Sequence, residues 1–375
     1  MNYEYAGMLG GAMTVDTWPI LIDRLDGSDL VGWTGQFVAD LSEGFDVIDD
    51  ETHPWTRGLS ERSWAGVLSI GMGGSAAAGD LLATMMGSSG SVPVISIRGY
   101  DLPNWFDPET WLVLCTSYSG NTEETLSACR TALAAGAVVV AISTGGELAG
   151  LAATEERAHL IPLRPGQPPR TAFGQICSRQ LALMWSIGLL ERPPRTEIDN
   201  MLHRLEEAFD LYALHLGDRG GAGGLAEEVG DAPIAVLATS DLAALGQRFV
   251  NQLAEHSGRF ARLEIVPEQN HNMLVAWGAI GTDGDASAFE HAVLILEWEG
   301  AHARTRQRLR WFTQHPPSQR MWRLTCEGDS LLEAFLHGCI LTDQIALACA
   351  LLKGKDPESI TPIRALKEHL SEIDA

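Results

Sequence analysis

The sequence predicts an α/β fold built from two subdomains, each a parallel sheet flanked by helices in the doubly wound, flavodoxin-like manner. Short apolar runs alternate with longer segments of helical period, which is typical of parallel strands joined by crossover helices. Each half of the chain contains one such series of strands and helices. A length of 375 residues is enough for two domains of ordinary size. The halves share only an order of elements, because no strict sequence repeat is visible.

The first subdomain is predicted to cover residues 1–183. Four short apolar runs bounded by Gly, Pro or Asn are its candidate strands, namely Ala65–Ile70, Val92–Ile97, Trp111–Ser117 and Ala137–Ser143. Helices are expected after the first, third and fourth of these strands. Ahead of them, Asp29–Asp50 has the spacing of an amphipathic helix that packs on the outside of the domain.

Residues 184–225 are predicted to form a helical linker, and residues 226–375 the second subdomain with C-terminal helices. Ala172–Asp218 is leucine-rich and helical in pattern, with an interruption at Pro193-Pro194, and the glycines of Gly220–Gly224 indicate a flexible connection. The later elements are strands at Pro233–Ala238, Arg262–Val266, His291–Glu297 and Trp322–Cys326, helices at Leu242–His256, Ala303–Gln314, Ser330–Leu352 and Ile363–Ile373, and an exposed loop at Gly278–Ala288.

The charge of the chain excludes one class of ligand. It has 49 acidic and 26 basic residues, a formal net charge of −23, whereas a nucleic acid needs a basic face. We therefore expect no nucleic-acid partner. Met1–Pro19 lacks the basic and apolar regions of a secretory signal, and no run approaches the roughly 18 apolar residues of a membrane span. We expect a cytoplasmic protein with no membrane partner.

The cysteines indicate neither a disulfide framework nor a metal site. All six are far apart in sequence and form no Cys-x-x-Cys or Cys/His cluster. We expect reduced thiols that are mostly buried.

Two strand-to-helix junctions in the first half carry unusual chemistry. The first is Gly71-Met72-Gly73-Gly74-Ser75, whose glycines let backbone N–H groups approach a ligand at the start of a helix. Such a turn is a weak signal by itself. It resembles a dinucleotide fingerprint but lacks the GxGxxG spacing and the acidic residue after a second strand.

The second junction, Ser117-Tyr118-Ser119-Gly120-Asn121-Thr122, is more specific. The hydroxyls of Ser117, Ser119 and Thr122, together with exposed N–H groups, can hold a phosphate without lysine or arginine. The alternative is a helix N-cap, for which one hydroxyl would suffice. Both junctions follow strands of one parallel sheet, so they are predicted to form a phosphate site from Gly73, Gly74 and Ser75 with the three hydroxyls.

The order of the motifs resembles that of bifunctional phosphoglucose/phosphomannose isomerases. The motifs are GMGGS, SYSGNTEET, PPRTAFGQ, a helix bearing a glutamate, EQNHN, and DP followed by LK, and the resemblance spans about Asp29 to Leu370. It implies two sugar isomerase (SIS) subdomains, a phosphosugar substrate and a homodimer with active sites at the subunit interface. It implies neither cofactor nor metal, because proton transfer through an enediolate uses organic acid–base groups.

The resemblance also assigns roles to individual residues. It places the catalytic base at Glu255, the ring-opening histidine at His271, supplied by the other subunit, and the enediolate-stabilising guanidinium at Arg170. Lys367 matches a lysine that assists ring opening and substrate binding, and Thr361 is the candidate contact that lets both C2 epimers react. Moving a proton between C1 and C2 requires a base and a charge partner of these types.

Alternatives stay open for several of these residues. Without the resemblance, Glu255 would be interpreted as a solvated helix glutamate, and the text after it, His256 to Arg259, departs from the ENAK-like sequence that is usual in the family. His256 is expected to pack or to cap the helix end, and Lys353 and Lys355 are expected to be solvated.

The leading functional interpretation is the interconversion of glucose 6-phosphate, and mannose 6-phosphate, with fructose 6-phosphate. The alternatives are a non-catalytic phosphosugar-binding regulator and an isomerase of another phosphosugar, such as a pentose or heptose phosphate.

Overall fold

The computed structural model describes residues 17–49, 51–278 and 280–373. Its strands belong to two sheets in which every pairing is parallel. The strands are β1 (Gly66–Ile70), β2 (Val94–Ile97), β3 (Trp111–Thr116), β4 (Val139–Ser143), β5 (Ala158–Pro162), β6 (Ile234–Thr239), β7 (Ala261–Val266), β8 (Ala292–Glu297) and β9 (Met321–Thr325).

Helices connect and cover the strands. They are α1 (Thr17–Leu25), α2 (Leu30–Thr34), α3 (Phe37–Phe45), α4 (Trp55–Ser60), α5 (Gly73–Ser89), α6 (Glu123–Ala134), α7 (Gly146–Thr154), α8 (Phe173–Ser186), α9 (Arg195–Tyr212), α10 (Ala222–Val229), α11 (Ala243–Ser257), α12 (Met273–Trp277), α13 (Ala303–Gln314), α14 (Leu331–Leu352) and α15 (Thr361–Ser371). Short 3-10 turns lie at Leu214–Leu216, Ser240–Leu242, Glu268–His271 and Ala288–Glu290.

The chain divides into two compact units, each containing one sheet. The five-stranded unit is Trp33–Glu206, and the four-stranded unit combines the chain before it with the chain after it. The boundaries of these units differ from those of the predicted domains, which are 1–183, 184–225 and 226–375. The predicted domain boundaries stay a prediction.

The five-stranded sheet has the order β2-β1-β3-β4-β5. β1, β3 and β4 are almost completely buried, as expected for strands covered by helices on both faces. Apolar side chains of α6 and α7 pack against β1, β3 and β4, while α8 packs against α3 and α5. β2 lies on one side of β1, and β3 and the later strands lie on the other side. The strand order therefore switches between β1 and β3, and doubly wound sheets bind ligands at such a switch point.

The four-stranded sheet has the order β7-β6-β8-β9, so its first three strands are arranged like those of the other sheet. Its largest helix, α14, packs against α10 and α11. Among the described residues, α14 is the one helix long and apolar enough to cross a membrane, contrary to the expectation that no run approaches that length. Since 89% of its most apolar window is buried in the structure, core packing accounts for its composition.

Most predicted elements are confirmed within one or two residues, but two predicted elements are wrong and one strand was missed. The missed strand is β5. The expected Asp29–Asp50 helix is two helices, α2 and α3, separated by a turn at residues 35–36, and Asp50 lies outside the described residues. The expected linker at Gly220–Gly224 includes the first turn of α10. All six cysteines are free and buried, as predicted.

Candidate functional site

The two glycine- and hydroxyl-bearing junctions lie side by side in the five-stranded unit. β1 and β3 are adjacent, with Ile70 opposite Cys115, so the loops that follow them leave the same edge of the sheet. The approach is close, because a Cβ on Gly71 would lie 3.1 Å from the Thr116 carbonyl oxygen. The sequence-based prediction that both loops share one location is therefore confirmed.

Two of the three hydroxyls of the second junction face each other across the loop. Ser117 Oγ and Thr122 Oγ1 are 2.7 Å apart, and the N–H of Gly120 donates to Ser117 Oγ over 3.1 Å. Ser119 Oγ accepts from Asn121 N–H at 3.2 Å. Thr122 occupies the N-cap position of α6, yet its side chain makes no capping hydrogen bond. Helix capping therefore does not account for this hydroxyl, although a helix N-cap was the alternative interpretation of the motif.

The first junction adds backbone donors and one more hydroxyl. Gly73 and Gly74 are exposed and begin α5, a helix of 17 residues with no acidic side chain in its first turn. Ser75, the next residue, is buried. Gly73 has a φ of +54°, a conformation that favours glycine. The arrangement suits an anion, because N–H groups at the start of a helix lack intrahelical acceptors and carry partial positive charge.

The loop after β4 fixes the second junction in place. The carbonyl of Tyr118 accepts from the N–H and the hydroxyl of Thr144, at 3.0 and 2.7 Å, and the Gly120 carbonyl accepts from Leu148 N–H at 2.9 Å. Gly120 has a φ of +73°, and a Cβ there would lie 1.9 Å from the Gly145 carbonyl oxygen. The hydroxyl-bearing loop is thus held by backbone contacts that leave no room for a side chain at its centre.

A third motif, the Pro168–Ala172 loop that carries Arg170, reaches the same place. A Cβ on Gly74 would lie 3.9 Å from the Pro169 carbonyl oxygen, so this loop lies beside the start of α5. Thr171 closes the turn, because its N–H and its hydroxyl both donate to the Pro168 carbonyl at 2.9 Å. Arg170 is half-buried. The five-stranded unit therefore brings the phosphate-site residues and Arg170 together.

The phenol of Tyr118 bridges from the hydroxyl-bearing loop to the segment that precedes Arg170. Its Oη donates to the Arg164 carbonyl and accepts from Gln167 N–H, both at 3.0 Å. Gln167 is buried, and its Nε2 donates to Asp40 Oδ2 at 3.1 Å and to the Thr171 carbonyl at 3.0 Å. Burial raises the pKa of Asp40, which is completely enclosed, while its contacts with Gln167 and Arg164 act in the opposite direction.

In the four-stranded unit, Glu255 lies half-buried in the last turn of α11. The helix ends at Gly258, whose φ is +61°. The carbonyl of Glu255 accepts from Lys355 Nζ at 2.8 Å, and His256, which is buried, has its Nδ1 3.1 Å from the Pro357 carbonyl oxygen. His256 therefore packs at the helix end as expected. Lys355 is half-buried and bonded, so the prediction that it is solvated is wrong, whereas Lys353 is exposed as predicted.

The remaining predicted residues of this unit are exposed. His271 ends the 3-10 turn at Glu268–His271, between two asparagines whose side-chain amides bond to Gln269 and Glu268. Thr361 and Lys367 lie on α15, a helix with no buried residue. The predicted site residues therefore form two groups: the phosphate-site residues with Arg170 in one unit, and Glu255, His271, Thr361 and Lys367 in the other. Within the described ranges, no cluster of three or more His, Cys, Asp or Glu could hold a metal ion.

Sequence reasoning missed three residues that organise these groups. Tyr118 lies inside a motif that was chosen for its hydroxyl and glycine residues, and its long-range contacts carry no signature in the sequence. Gln167 is one of several polar residues near the two prolines. Lys355 did have a signal, because it is one of only three lysines in the chain, but its neighbouring glycine suggested a solvated turn.

Known proteins match the chain over most of its length. The bifunctional phosphoglucose/phosphomannose isomerase of Caldicellulosiruptor bescii is 30% identical over 314 residues, which are 82% of this chain and 90% of that protein. The protein of the same name from Aquifex aeolicus is 28% identical, covering 82% and 91% of the two chains. Residues 220–370 match the family model of the bacterial phospho-glucose isomerase C-terminal SIS domain. The chain belongs to the bifunctional phosphoglucose/phosphomannose isomerase family.

Solved structures agree on the fold of this family member. The C-terminal domain of glucosamine-fructose-6-phosphate aminotransferase from Francisella tularensis has a TM-score of 0.65 at 13% identity, covering 87% of this chain and 96% of that domain. Glucosamine-6-phosphate deaminase from Thermotoga maritima has a TM-score of 0.60 at 14% identity, covering 91% and 96%. The predicted fold of two SIS-type subdomains, each a parallel sheet flanked by helices, is confirmed.

Proposed function

We propose that this protein is an aldose–ketose isomerase that interconverts glucose 6-phosphate, and also mannose 6-phosphate, with fructose 6-phosphate. The observation that carries the proposal is the phosphate site of the five-stranded unit, where the hydroxyls of Ser117 and Thr122 face each other and neither caps the following helix. Family membership supports the same class of substrate.

The proposed phosphate site uses neutral donors. Ser75, Ser117, Ser119 and Thr122 supply hydroxyls, and the glycines at the start of α5 supply N–H groups. Such donors can bind a dianion without bringing a lysine or arginine to it. This leaves the positive charge of Arg170, whose loop lies beside Gly74, for the reacting end of the sugar.

The chemical roles follow from what the reaction needs. Opening the sugar ring requires proton transfer at the ring oxygen and the anomeric hydroxyl, which we assign to His271 with help from Lys367. Glu255 then takes the proton from C2 of the aldose and returns it to C1, or the reverse. The enediolate between these steps carries negative charge that the guanidinium of Arg170 stabilises. Thr361 is the proposed contact through which both C2 epimers are accepted.

We further propose that the active form is a homodimer in which His271 acts in the site of the other subunit. The exposure of His271 supports this, as does the neighbouring Val275, which is 61% exposed although apolar. On α15, Ile363, Leu366 and Leu370 are between 41% and 56% exposed. Apolar side chains that are this accessible are typical of surfaces that become covered on association.

The test is isomerisation by the purified protein with fructose 6-phosphate, glucose 6-phosphate and mannose 6-phosphate in separate assays. Glu255→Gln is expected to lower kcat by about 10²- to 10⁴-fold, because it removes the base while keeping the shape of the side chain. Glu290→Gln, at an exposed glutamate of the same unit, is the matched control and should keep full activity.

The outcomes separate the open alternatives. If the wild-type protein binds fructose 6-phosphate but converts none of these sugars, it is a phosphosugar-binding regulator and the proposal is wrong. Turnover of a pentose or heptose phosphate alone would identify another isomerase. Full activity of Glu255→Gln would remove Glu255 from the mechanism.

A further inference from the structure

We infer that Tyr118 is a positioning residue that couples the phosphate site to Arg170. The inference rests on the proposed function and concerns the same site. Tyr118 lies between two of the phosphate-site hydroxyls, Ser117 and Ser119, while its phenol reaches the segment that leads to Arg170. One side chain thus connects the group that would hold the phosphate to the group that would face the enediolate.

The contacts define how the connection works. Tyr118 Oη donates to the Arg164 carbonyl and accepts from the Gln167 N–H, so it holds two backbone groups that are three residues apart. Gln167 continues the connection, because its Nε2 donates to the carbonyl of Thr171, the residue that follows Arg170. The phenol holds the segment that leads into the Arg170 loop, and the Gln167 side-chain amide holds the end of the loop at Thr171.

The hydroxyl-bearing loop, at the other end of the connection, is also held in place. The Tyr118 carbonyl accepts two hydrogen bonds from Thr144, and the next residues fit tightly against Gly145. A displacement of the hydroxyl-bearing loop would therefore move the phenol, and the phenol would move the Arg170 loop. Binding of the phosphate would in this way help to place the guanidinium, so that binding energy from a remote group contributes to orientation at the reacting end.

The phenol is suited to this role across the neutral pH range. Its partial burial raises the pKa of Tyr118, and the charge of Asp40 acts in the same direction. The hydroxyl therefore remains protonated and can donate to the Arg164 carbonyl. Phenylalanine at this position would keep the ring but leave both backbone partners without the phenol.

The experiment is steady-state kinetics of Tyr118→Phe with fructose 6-phosphate, together with competitive inhibition by inorganic phosphate. We expect kcat to fall about tenfold to a hundredfold, because a misplacement of roughly 1 Å costs that much. KM and the inhibition constant of phosphate should change by less than about twofold, since no phosphate-site hydroxyl is altered. Tyr212→Phe, at a buried tyrosine of the four-stranded unit, is the control and should match the wild type.

Two further variants distinguish positioning from a general loss of structure. Thr171→Val removes a different hydrogen bond of the same loop and should give the same kinetic signature. In an Arg170→Met background, Tyr118→Phe should have little additional effect on kcat, because the residue through which it acts is already gone.

Each result decides the inference. An active wild type with an equally active Tyr118→Phe, a rise of KM and the phosphate inhibition constant without a fall in kcat, or additive effects of Tyr118→Phe and Arg170→Met would overturn it. A wild type without isomerase activity would overturn the proposed function first, and the inference with it.

Discussion

At the scale of single residues, the site depends on glycines placed where no other residue fits. Gly120 lies between two of the phosphate-site hydroxyls and combines a left-handed backbone with contact against the Gly145 carbonyl. The sequence showed that a glycine was present in the motif. It could not show that both constraints apply, because the contact comes from a loop 25 residues further along the chain.

Gly120→Ala tests this position. A left-handed backbone costs a non-glycine residue about 1–3 kcal/mol, and the Cβ would in addition displace the loop after β4. We expect a lower unfolding midpoint and a raised KM for fructose 6-phosphate. Gly150→Ala is the matched control, because a Cβ there meets open space within α7, where alanine stabilises a helix by about 0.5–1 kcal/mol. Equal thermal midpoints for the two variants would contradict the argument.

The roles proposed for Glu255, His271 and Lys367 come from family resemblance and could not have come from the sequence pattern alone. Each is a common residue type on a helix or turn, and the pattern does not show what lies opposite it. By contrast, the proposed phosphate site follows from local sequence, because its candidate donors lie within two short loops, and the structure places these loops at adjacent strand ends.

At the scale of elements, buried strands and long helices were the most predictable parts of the fold. β3 and β4 are continuous apolar runs, and such runs identify strands that are covered on both faces. β5 was missed because it is an edge strand with a half-buried pattern, a histidine and a terminal proline. A proline is tolerated at a sheet edge, where its missing N–H has no partner to lose.

The start of α10 was missed because its glycines serve packing. A Cβ on Gly223 would lie 2.2 Å from the Trp18 indole, and one on Gly220 would lie 2.3 Å from the Tyr212 ring. Glycine-rich text normally indicates a flexible connection. Here it allows two aromatic rings to lie against the backbone, and the sequence does not distinguish the two causes.

The end of α11 gives a prediction at this scale. The ammonium group of Lys355 donates to the carbonyl of Glu255 at the C-terminal end of α11. The negative end of the helix dipole stabilises a cation at this position. Lys355→Met is expected to lower the free energy of unfolding by about 0.3–1 kcal/mol and to speed amide exchange in the last turn of α11. Lys353→Met, at an exposed lysine nearby, should have a smaller effect, and Lys355→Arg should restore stability. Unchanged exchange in Lys355→Met would show that the contact does not hold the helix end.

At the scale of the whole molecule, the charge of −23 is compatible with an anionic substrate because the proposed phosphate donors are neutral. Some acidic residues are paired locally, as in the bidentate pair of Arg248 and Asp343 between α11 and α14. An acidic surface and a phosphate site can therefore coexist in one chain.

Acid should destabilise the molecule through buried histidines. Burial lowers the pKa of His53, His159 and His337 from the ordinary value of 6.5. Each binds a proton more readily in the unfolded chain, so below about pH 6.5 the free energy of unfolding falls as the pH falls towards the folded-state pKa. His337 has a buried Nδ1 without a hydrogen-bond partner, which makes it the best target.

The measurement is the urea midpoint of wild type and His337→Phe at pH 7.5 and pH 5.5. The variant should lose less stability between the two pH values, because phenylalanine has no proton to take up. Comparison within the same pair of buffers cancels the carboxyl groups, which the two proteins share. Identical losses would mean that His337 does not contribute to acid sensitivity.

The shared strand order of the two sheets has a consequence for how the proposed roles are divided between them. In the five-stranded sheet, the strands at the switch point are followed by glycine and hydroxyl residues. The corresponding strands of the other sheet, β6 and β8, end at Thr239 and Glu297. The residues that follow them, Ser240-Asp241 and Trp298-Glu299, each include a carboxylate and contain no glycine. Carboxylates repel a phosphate, so the same strand order offers the proposed anion site in one sheet only. On the proposed function, the second copy of the architecture would instead supply the acid–base groups.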